Sequence, residues 1–530
     1  MRALLISAAF ILPAVSRAAE PSPGRHAYEA LLNDERGRAL ELAWAARSSG
    51  GAFVDLTMGR LYLDGLGMEK DRAKAAAFFK RALEAALPAA ERGDAEAQYI
   101  AGRMLSDGWG RPKNSNEAVA WLKKSAAQGD PLAEACLGSM YLSGDGVVQD
   151  YAEAARWHRK AADHGRDESL NDLGVIYRDG RGVERDLKKA LEFFKLAADR
   201  RVTRSYFNIG VLYAQGQGVE KSDIAAFRWF RKAADRGYPQ AQALLGSMYL
   251  HGSGVEADRL KGIDWLRKAA KQGDASAELE LGYTLLNSGE PPESAKEGFA
   301  LIRTAAESGY PQAQLWFGMI HYSGERGGKD EKLAATWIQK AAEQGLPQAQ
   351  EIIGSMYLTG RGVRQSDSDA AKWLKPLAEQ GWPQAQALLG HLLFNAPGLR
   401  KDESEALKWF GKAANQGNAF AETYMGFLFA QGLCGLPHDD EEAVKWYRKA
   451  AEKGDPSGQR LLGYMHWAGR GTPQNSTEAA KWYERAAASG SLEAAAELPG
   501  VKAGKTPPDE DTNELLNFAV GEAFKRIKLR

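Results

Sequence analysis

The sequence predicts an all-α chain: an α/α superhelical solenoid of about twelve two-helix repeats of 36 residues. Three observations carry that expectation. The tetrapeptide PQAQ recurs at 239, 311, 347 and 383. A marker glycine falls at Gly59, Gly102, Gly138, Gly174, Gly210, Gly246, Gly282, Gly318, Gly354, Gly390, Gly426 and Gly463, and every step from Gly102 to Gly426 is 36 residues. A single two-helix unit cannot bury its own apolar stripe, whereas stacked units can, so a fixed period of this length reads as a linear array.

The elements follow in chain order. Arg2, the 13-residue apolar run ALLISAAFILPAV and the exit SRAAE have the three parts of a secretory signal peptide over residues 1–18. Ser16 and Ala18 stand at the −3 and −1 positions for cleavage before Ala19. The run is too short to span a bilayer, and no other apolar run reaches the ~18 residues a span needs. Residues 19–51 contain a helical stretch, 25–50, expected to cap the array, which itself occupies 52–498.

Within a unit such as 346–359, Pro347 suits the first helical turn, where its missing N–H is not needed. Ala349, Ile353 and Tyr357 then share one face. Gly360 and Gly362 form a tight connector that tolerates positive φ. A second helix follows, with Asp150/Glu153 and Asp402/Glu405 placed as capping boxes. It carries a recurrent tryptophan (Trp121, Trp157, Trp229, Trp265, Trp337, Trp373, Trp409, Trp446 and Trp482), read as core, and ends Lys-Ala-Ala before a terminal glycine. The marker glycine costs ~1 kcal/mol against Ala inside a helix. Close approach of the second helix, against its Ala pairs, is expected to offset that cost.

These residues resemble the Sel-one-like repeat, a relative of the tetratricopeptide repeat. The matching pattern is Ala-x-x-x-Leu-Gly-x-x-Tyr-x-x-Gly-x-Gly-Val followed by Ala-x-x-Trp-x-x-Lys-Ala-Ala-x-x-Gly, and 241–273 fits it almost position for position. The resemblance implies a non-catalytic scaffold or adaptor of the bacterial cell envelope, exported to the periplasm or secreted, that binds a protein or peptide along the concave face. Departures are local. Pro376 lies inside a second helix and predicts a kink or early end. Residues 287–295, 394–402 and 432–440 break the connector pattern. After Gly490 a further helix starts, expected to stop at Pro499 and Gly500. A polar linker is expected over 499–512, then an amphipathic helix over 513–530.

Other function classes find little support. Lys+Arg and Asp+Glu both number 69, and losing Arg2 and Arg17 leaves −2; a nucleic-acid binder shows a basic surplus. Gly504-Lys505-Thr506 lacks the spacing and preceding strand of a phosphate loop. His158 and His164 share no helical face, His321 and His466 stand at the repeat's Tyr position, and Asp439, Asp440, Glu441 and Glu442 read as a helix first turn. No metal or cofactor site is expected. Cys136 and Cys434 lie eight repeats apart and are read as free thiols. Cysteine-rich members of the resembled family are linked to weak β-lactamase activity, but this chain pairs no cysteines within repeats and contains no Ser-x-x-Lys. A second binding class, an envelope polysaccharide or peptidoglycan assembly factor contacting glycan, would need an exposed aromatic face.

The candidate partner-binding residues lie three before and one after the marker glycine, opposite the repeated stripe. The candidate anchors among them are Tyr99, Phe207, Val211, Leu279, Tyr283, Leu315, Met319, Phe427 and Tyr464. They vary from repeat to repeat while the stripe does not. If exposed, they are anchors for a partner.

Overall fold

The structure is a computed structural model that describes residues 22–33, 36–287, 292–324, 328–395 and 401–506. The proposed signal segment, its cleavage site at Ala18 and Ala19, and the amphipathic stretch 513–530 lie outside the described residues. Among the described residues there are 27 α-helices and no strand.

The chain divides into two compact units, Met1–Gln272 and Gly273–Arg530. The first holds two leading helices, Pro23–Leu32 and Arg36–Ala46, and then six helix pairs, from Ala52–Asp64 with Arg72–Glu91 to Pro239–His251 with Arg259–Ala270. The second holds six pairs, from Ala275–Leu286 with Pro292–Glu307 to Pro456–Ala468 with Ser476–Ala488, and a last helix, Leu492–Lys502. Within each unit every first helix packs on its own second helix, and every second helix packs on the first helix of the next pair. Neighbouring first helices also touch, as Ala52–Asp64 does with Ala95–Asp107.

Local chemistry sets the helix ends. Asp150 and Asp402 accept from the backbone N–H of Glu153 and Glu405, both at 2.9 Å, as N-caps do. Most first helices close on a glycine in the left-handed region, for example Gly252 at φ 71°, which a Cβ disfavours, whereas Ala275–Leu286 closes on Asn287 at φ −100°. The second connector glycine has a further constraint. A Cβ on Gly218 would stand 2.7 Å from Leu187 Cβ in the preceding pair.

The marker glycine is a socket. A Cβ there would lie 2.5 to 3.0 Å from a buried side chain of the partner helix in all twelve repeats. The occupant is the residue after the tryptophan position: Phe79, Leu122, His158, Phe194, Phe230, Leu266, Ile302, Ile338, Leu374, Phe410, Tyr447 and Tyr483. None of these is more than 4% exposed. The close approach is thus made chiefly by a bulky side chain rather than by the Ala pairs, whose part is a backbone carbonyl such as Ala118 O, 3.1 Å from the Gly102 position.

That placement turns the tryptophans outward, which corrects their reading as core. Only Trp409 and Trp482 are buried, at 7% and 9% exposure, and the other seven are half-buried. The cation three residues on covers the ring: Lys124, Lys160, Lys232, Lys268, Lys340, Lys412, Lys449 and Arg485 sit 3.8 to 4.8 Å from the ring centres. Trp373 lacks this cover because Pro376 occupies the cation's place. Its helix nevertheless runs on to Glu379. The expected early end does not occur because Leu377 and Ala378, beyond the proline, are fully buried in the core. The last helix likewise continues through Pro499 and Gly500 to Lys502. Val501 is 0% exposed, and Trp467 Nε1 donates to the Lys505 carbonyl at 2.9 Å. Past the expected start of the linker at 499, Val501 and the Lys505 carbonyl therefore still contact the final pair, while 502–506 are exposed.

The second Gln of PQAQ is a latch between repeats. Gln242 donates to the Ala234 carbonyl at the end of the previous second helix (3.1 Å) and accepts from Gln272 of its own repeat (2.8 Å). Gln98, Gln314 and Gln386 repeat both bonds. Where Gln is replaced, its partner 30 or 31 residues on changes with it. Glu134 meets His164 at 2.8 Å, Glu422 meets Lys453 at 2.5 Å, and Arg236 lies over the Tyr206 ring at 4.6 Å.

The latch makes a stability prediction. Gln242→Glu removes the donor to the Ala234 carbonyl and buries an extra charge, so the thermal midpoint should fall, with a loss on the order of 1–3 kcal/mol. Adding Gln272→Lys recreates the Glu422–Lys453 pairing and should restore most of it in calorimetry.

Candidate functional site

The nine candidate residues lie on the seam between neighbouring first helices, and their surroundings differ. Tyr99, Leu315 and Phe427 are buried at 1%, 5% and 5% exposure. They are core as they stand, which corrects their place among exposed anchors. Two of the reasons are visible in ring contacts. Tyr99 stacks on Phe53 (5.9 Å) and meets Tyr28 of the leading helix (6.2 Å), while Phe427 meets Phe394 edge-on (6.5 Å). Leu315 belongs to the cluster around Ile352 and Ile353. Phe207 is half-buried between Phe230 and Tyr238. Val211, Leu279, Met319 and Tyr464 are half-buried.

Tyr283 is different. It is 44% exposed and packs edge-on against half-buried Trp316 at 4.9 Å, which leaves an aromatic pair open on the first-helix face of the second unit. Polar contacts cross the same seam elsewhere. Asn208 donates to Asn171 at 2.8 Å, Thr423 to Asp455 at 2.9 Å, and Arg460 pairs with Glu497 at 2.6 Å. Glu351, also on the seam, is pushed up from the ordinary carboxylate range by burial.

The leading helix shows what this face accepts. Pro23–Leu32 lies across successive first helices of the first unit and buries Arg25 and Tyr28, at 8% and 0% exposure. Arg25 pairs with Asp130 at 2.6 Å and with Glu29 at 2.9 Å, and reaches Glu96 at 3.6 Å. Asn33 accepts from Arg166 at 3.3 Å. Sequence reasoning assigned 25–50 to a cap but missed these two anchors. Their signal was an Arg and a Tyr three apart in RHAY, one helical face.

The other groups singled out in the sequence have structural partners. Asp439 caps its helix by accepting from Glu442 N–H at 2.9 Å, Asp440 pairs with Arg470 at 2.7 Å, and Glu442 with Lys445 at 2.8 Å. His158 fills the Gly138 socket, and His321 lies edge-on to Phe317 at 4.8 Å. Cys136 and Cys434 are free thiols, half-buried. Burial pushes the Cys434 thiol up to about 11. Among the described residues no three metal-ligating side chains come together, and no helix is long and apolar enough to cross a membrane.

Paired helices joined by glycine connectors and stacked in register define an α/α repeat solenoid, a fold typical of protein–protein interaction scaffolds. The Sel1 repeat model matches twelve stretches: 58–87, 95–130, 131–165, 167–201, 203–238, 239–274, 275–310, 311–346, 347–382, 383–418, 419–455 and 456–491. The chain belongs to the Sel1 repeat family. Among solved structures, it is similar to a protective antigen of uropathogenic Escherichia coli with an SLR fold, at 28% identity over 93% of this chain and 98% of that one, with a TM-score of 0.49. A Sel1 repeat protein from Oxalobacter formigenes is 28% identical over 47% of this chain and 97% of that one, with a TM-score of 0.36. A search of the curated proteins finds no match.

His391 gives this face a pH dependence. Its ring nitrogen hydrogen-bonds Tyr424 OH at 2.7 Å, and burial lowers its pKa from 6.5 to about 4. Between those values the unfolded chain binds the proton and the folded chain does not. His391 therefore contributes stability above pH 6.5 that is lost as pH falls towards 4. His391→Gln should flatten the fall in thermal midpoint across that window, by about 3 kcal/mol at most.

Proposed function

We propose that the chain is a non-catalytic scaffold, exported from a bacterial cell, that holds a protein or peptide partner along its first-helix face. The observation that carries this reading is the leading helix. The face already binds one polypeptide segment of the same chain, with an arginine paired to Asp130 and near Glu96 and a tyrosine packed against Phe53 and Tyr99. In the second unit the seam between first helices carries the open Tyr283–Trp316 pair. Aromatic side chains of this kind supply large contact area at low entropic cost and anchor interfaces. Export rests on the basic, apolar and small-residue order of residues 1–18. Absence of catalysis rests on the chemistry of the candidate groups, whose partners are caps, sockets and surface ion pairs.

The Tyr283–Trp316 pair also favours a second reading, contact with envelope glycan, since sugar rings stack on open aromatic faces. One variant addresses both. Tyr283→Glu removes the ring from a site that is 44% exposed, so the thermal midpoint should move by no more than a few degrees, as for a surface change of about 0.5 kcal/mol. Recovery of protein partners in quantitative co-purification should drop. Unchanged protein recovery together with lost binding to envelope polysaccharide would favour the glycan reading.

A further inference from the structure

A cleft of about 600 Å³ opens at the C-terminal end of the first-helix seam in the first unit, and three of its lining residues are Arg178, Arg181 and Arg185. Arg178 and Arg181 share one carboxylate. Asp179 accepts from Arg178 Nε at 2.7 Å and lies 3.5 Å from Arg181 Nε. Arg185 donates Nε to the Arg178 carbonyl at 3.0 Å and has no carboxylate partner among the described residues. The lining therefore carries two positive charges in excess on a chain whose net charge is 0.

Arg181 and Arg185 stand at connector positions that are basic in other repeats too, as at Arg361 and Arg470 and at Lys113, Lys221 and Lys329; Arg178 is the charge that the repeat frame does not ask for. Arg178 stands four residues after the marker Gly174, where other repeats place Leu142, Ala214, Leu250, Leu286 and Leu358. The opposite wall comes from the next first helix and its connector. Val211 offers an apolar surface, and Gln215 and Gln217 offer amides that can both donate and accept. Guanidinium groups match carboxylates in a planar, two-point geometry. An amide-lined wall suits a peptide backbone. The overall charge balance argues against the broad basic footprint that a nucleic acid or an anionic membrane would need.

We propose that this cleft binds an acidic peptide segment, two of whose carboxylates engage the three guanidiniums while its backbone lies against Gln215 and Gln217. The proposal rests on the scaffold reading and names the chemistry of one stretch of the partner. It also gives a role to Val211, which the variable seam positions had singled out.

The test uses the full chain and a fluorescent hexaglutamate peptide, with hexaglutamine as the neutral control, followed by anisotropy at low salt. Hexaglutamate should bind at least about tenfold more tightly than hexaglutamine, and the difference should shrink steeply with added salt. Arg178→Gln with Arg185→Gln should weaken hexaglutamate about tenfold or more at an unchanged thermal midpoint. Should that pair unfold the repeat, Arg181→Gln alone, on a side chain 54% exposed, should still cost several-fold. Equal binding of both peptides overturns the proposal, as does full binding by folded variants. Displacement by inorganic phosphate at the concentration of free peptide needed for the same effect would reduce the cleft to a simple anion site and also overturn it. If hexaglutamate fails while Tyr283→Glu still lowers partner recovery, the cleft assignment falls and the scaffold reading stands.

Discussion

One contact is repeated through both units: a bulky side chain of the second helix seated on a glycine of the first. Removing the Cβ lets the two backbones approach until the facing carbonyl lies about 3 Å from where that Cβ would be, as at Gly102 and Gly318. The cost is ~1 kcal/mol of helix propensity at each glycine, set against full burial of a Phe, Leu, Ile or Tyr worth about 1.5–3 kcal/mol. The sign favours the socket. Seating that residue also fixes the rotation of the second helix. The tryptophan beside it turns to the surface under its lysine, and the Ala pair at the helix end comes within reach of the next repeat's glutamine. Inter-repeat bonding thus follows from the geometry within each repeat.

The frame leaves one surface unconstrained, the seam between first helices. Its residues meet partners 32 to 37 positions away, as in Thr423–Asp455, Tyr283–Trp316 and Asn171–Asn208. Neither socket nor latch dictates their identity. They can vary while the stack remains intact, and in the first unit the chain's own leading helix uses that freedom. Arg25 and Tyr28 close the seam over Phe53, Tyr99 and Asp130. The seam is thus closed by the chain's own helix in the first unit and open at an aromatic pair in the second.

Helix order, caps and connectors were legible in the sequence because each depends on residues within one 36-residue window. PQAQ, Asp at the caps and Gly at the connectors all act locally. The socket occupant was less visible. It varies among Leu, Phe, Ile, His and Tyr, so no single letter marks it, whereas the adjacent tryptophan stands out and drew the reading of core. Exposure on the seam was not legible at all. Tyr99 and Tyr283 are both tyrosines at seam positions, yet the first is covered by a helix from outside the repeats. Pro376 and Pro499 misled for a related reason. A proline's local cost was visible, but the burial of Leu377, Ala378 and Val501 that outweighs it was not. The latch offered a signal that was there to be found, in the paired changes Gln98/Gln128, Glu134/His164 and Glu422/Lys453.

A double-mutant cycle on one socket, Gly174 with Phe194, tests the controlling role of this contact most directly. A Cβ at Gly174 meets the Phe194 ring at 2.5 Å, so Gly174→Ala alone should destabilise by about 1–3 kcal/mol despite the gain in helix propensity. Phe194→Leu alone should also destabilise, by leaving space. The account predicts that the two together lose less than the sum of the single losses, with a coupling of at least about 0.5 kcal/mol in calorimetric melts. Strictly additive losses, or an alanine at Gly174 that stabilises the chain, would contradict it.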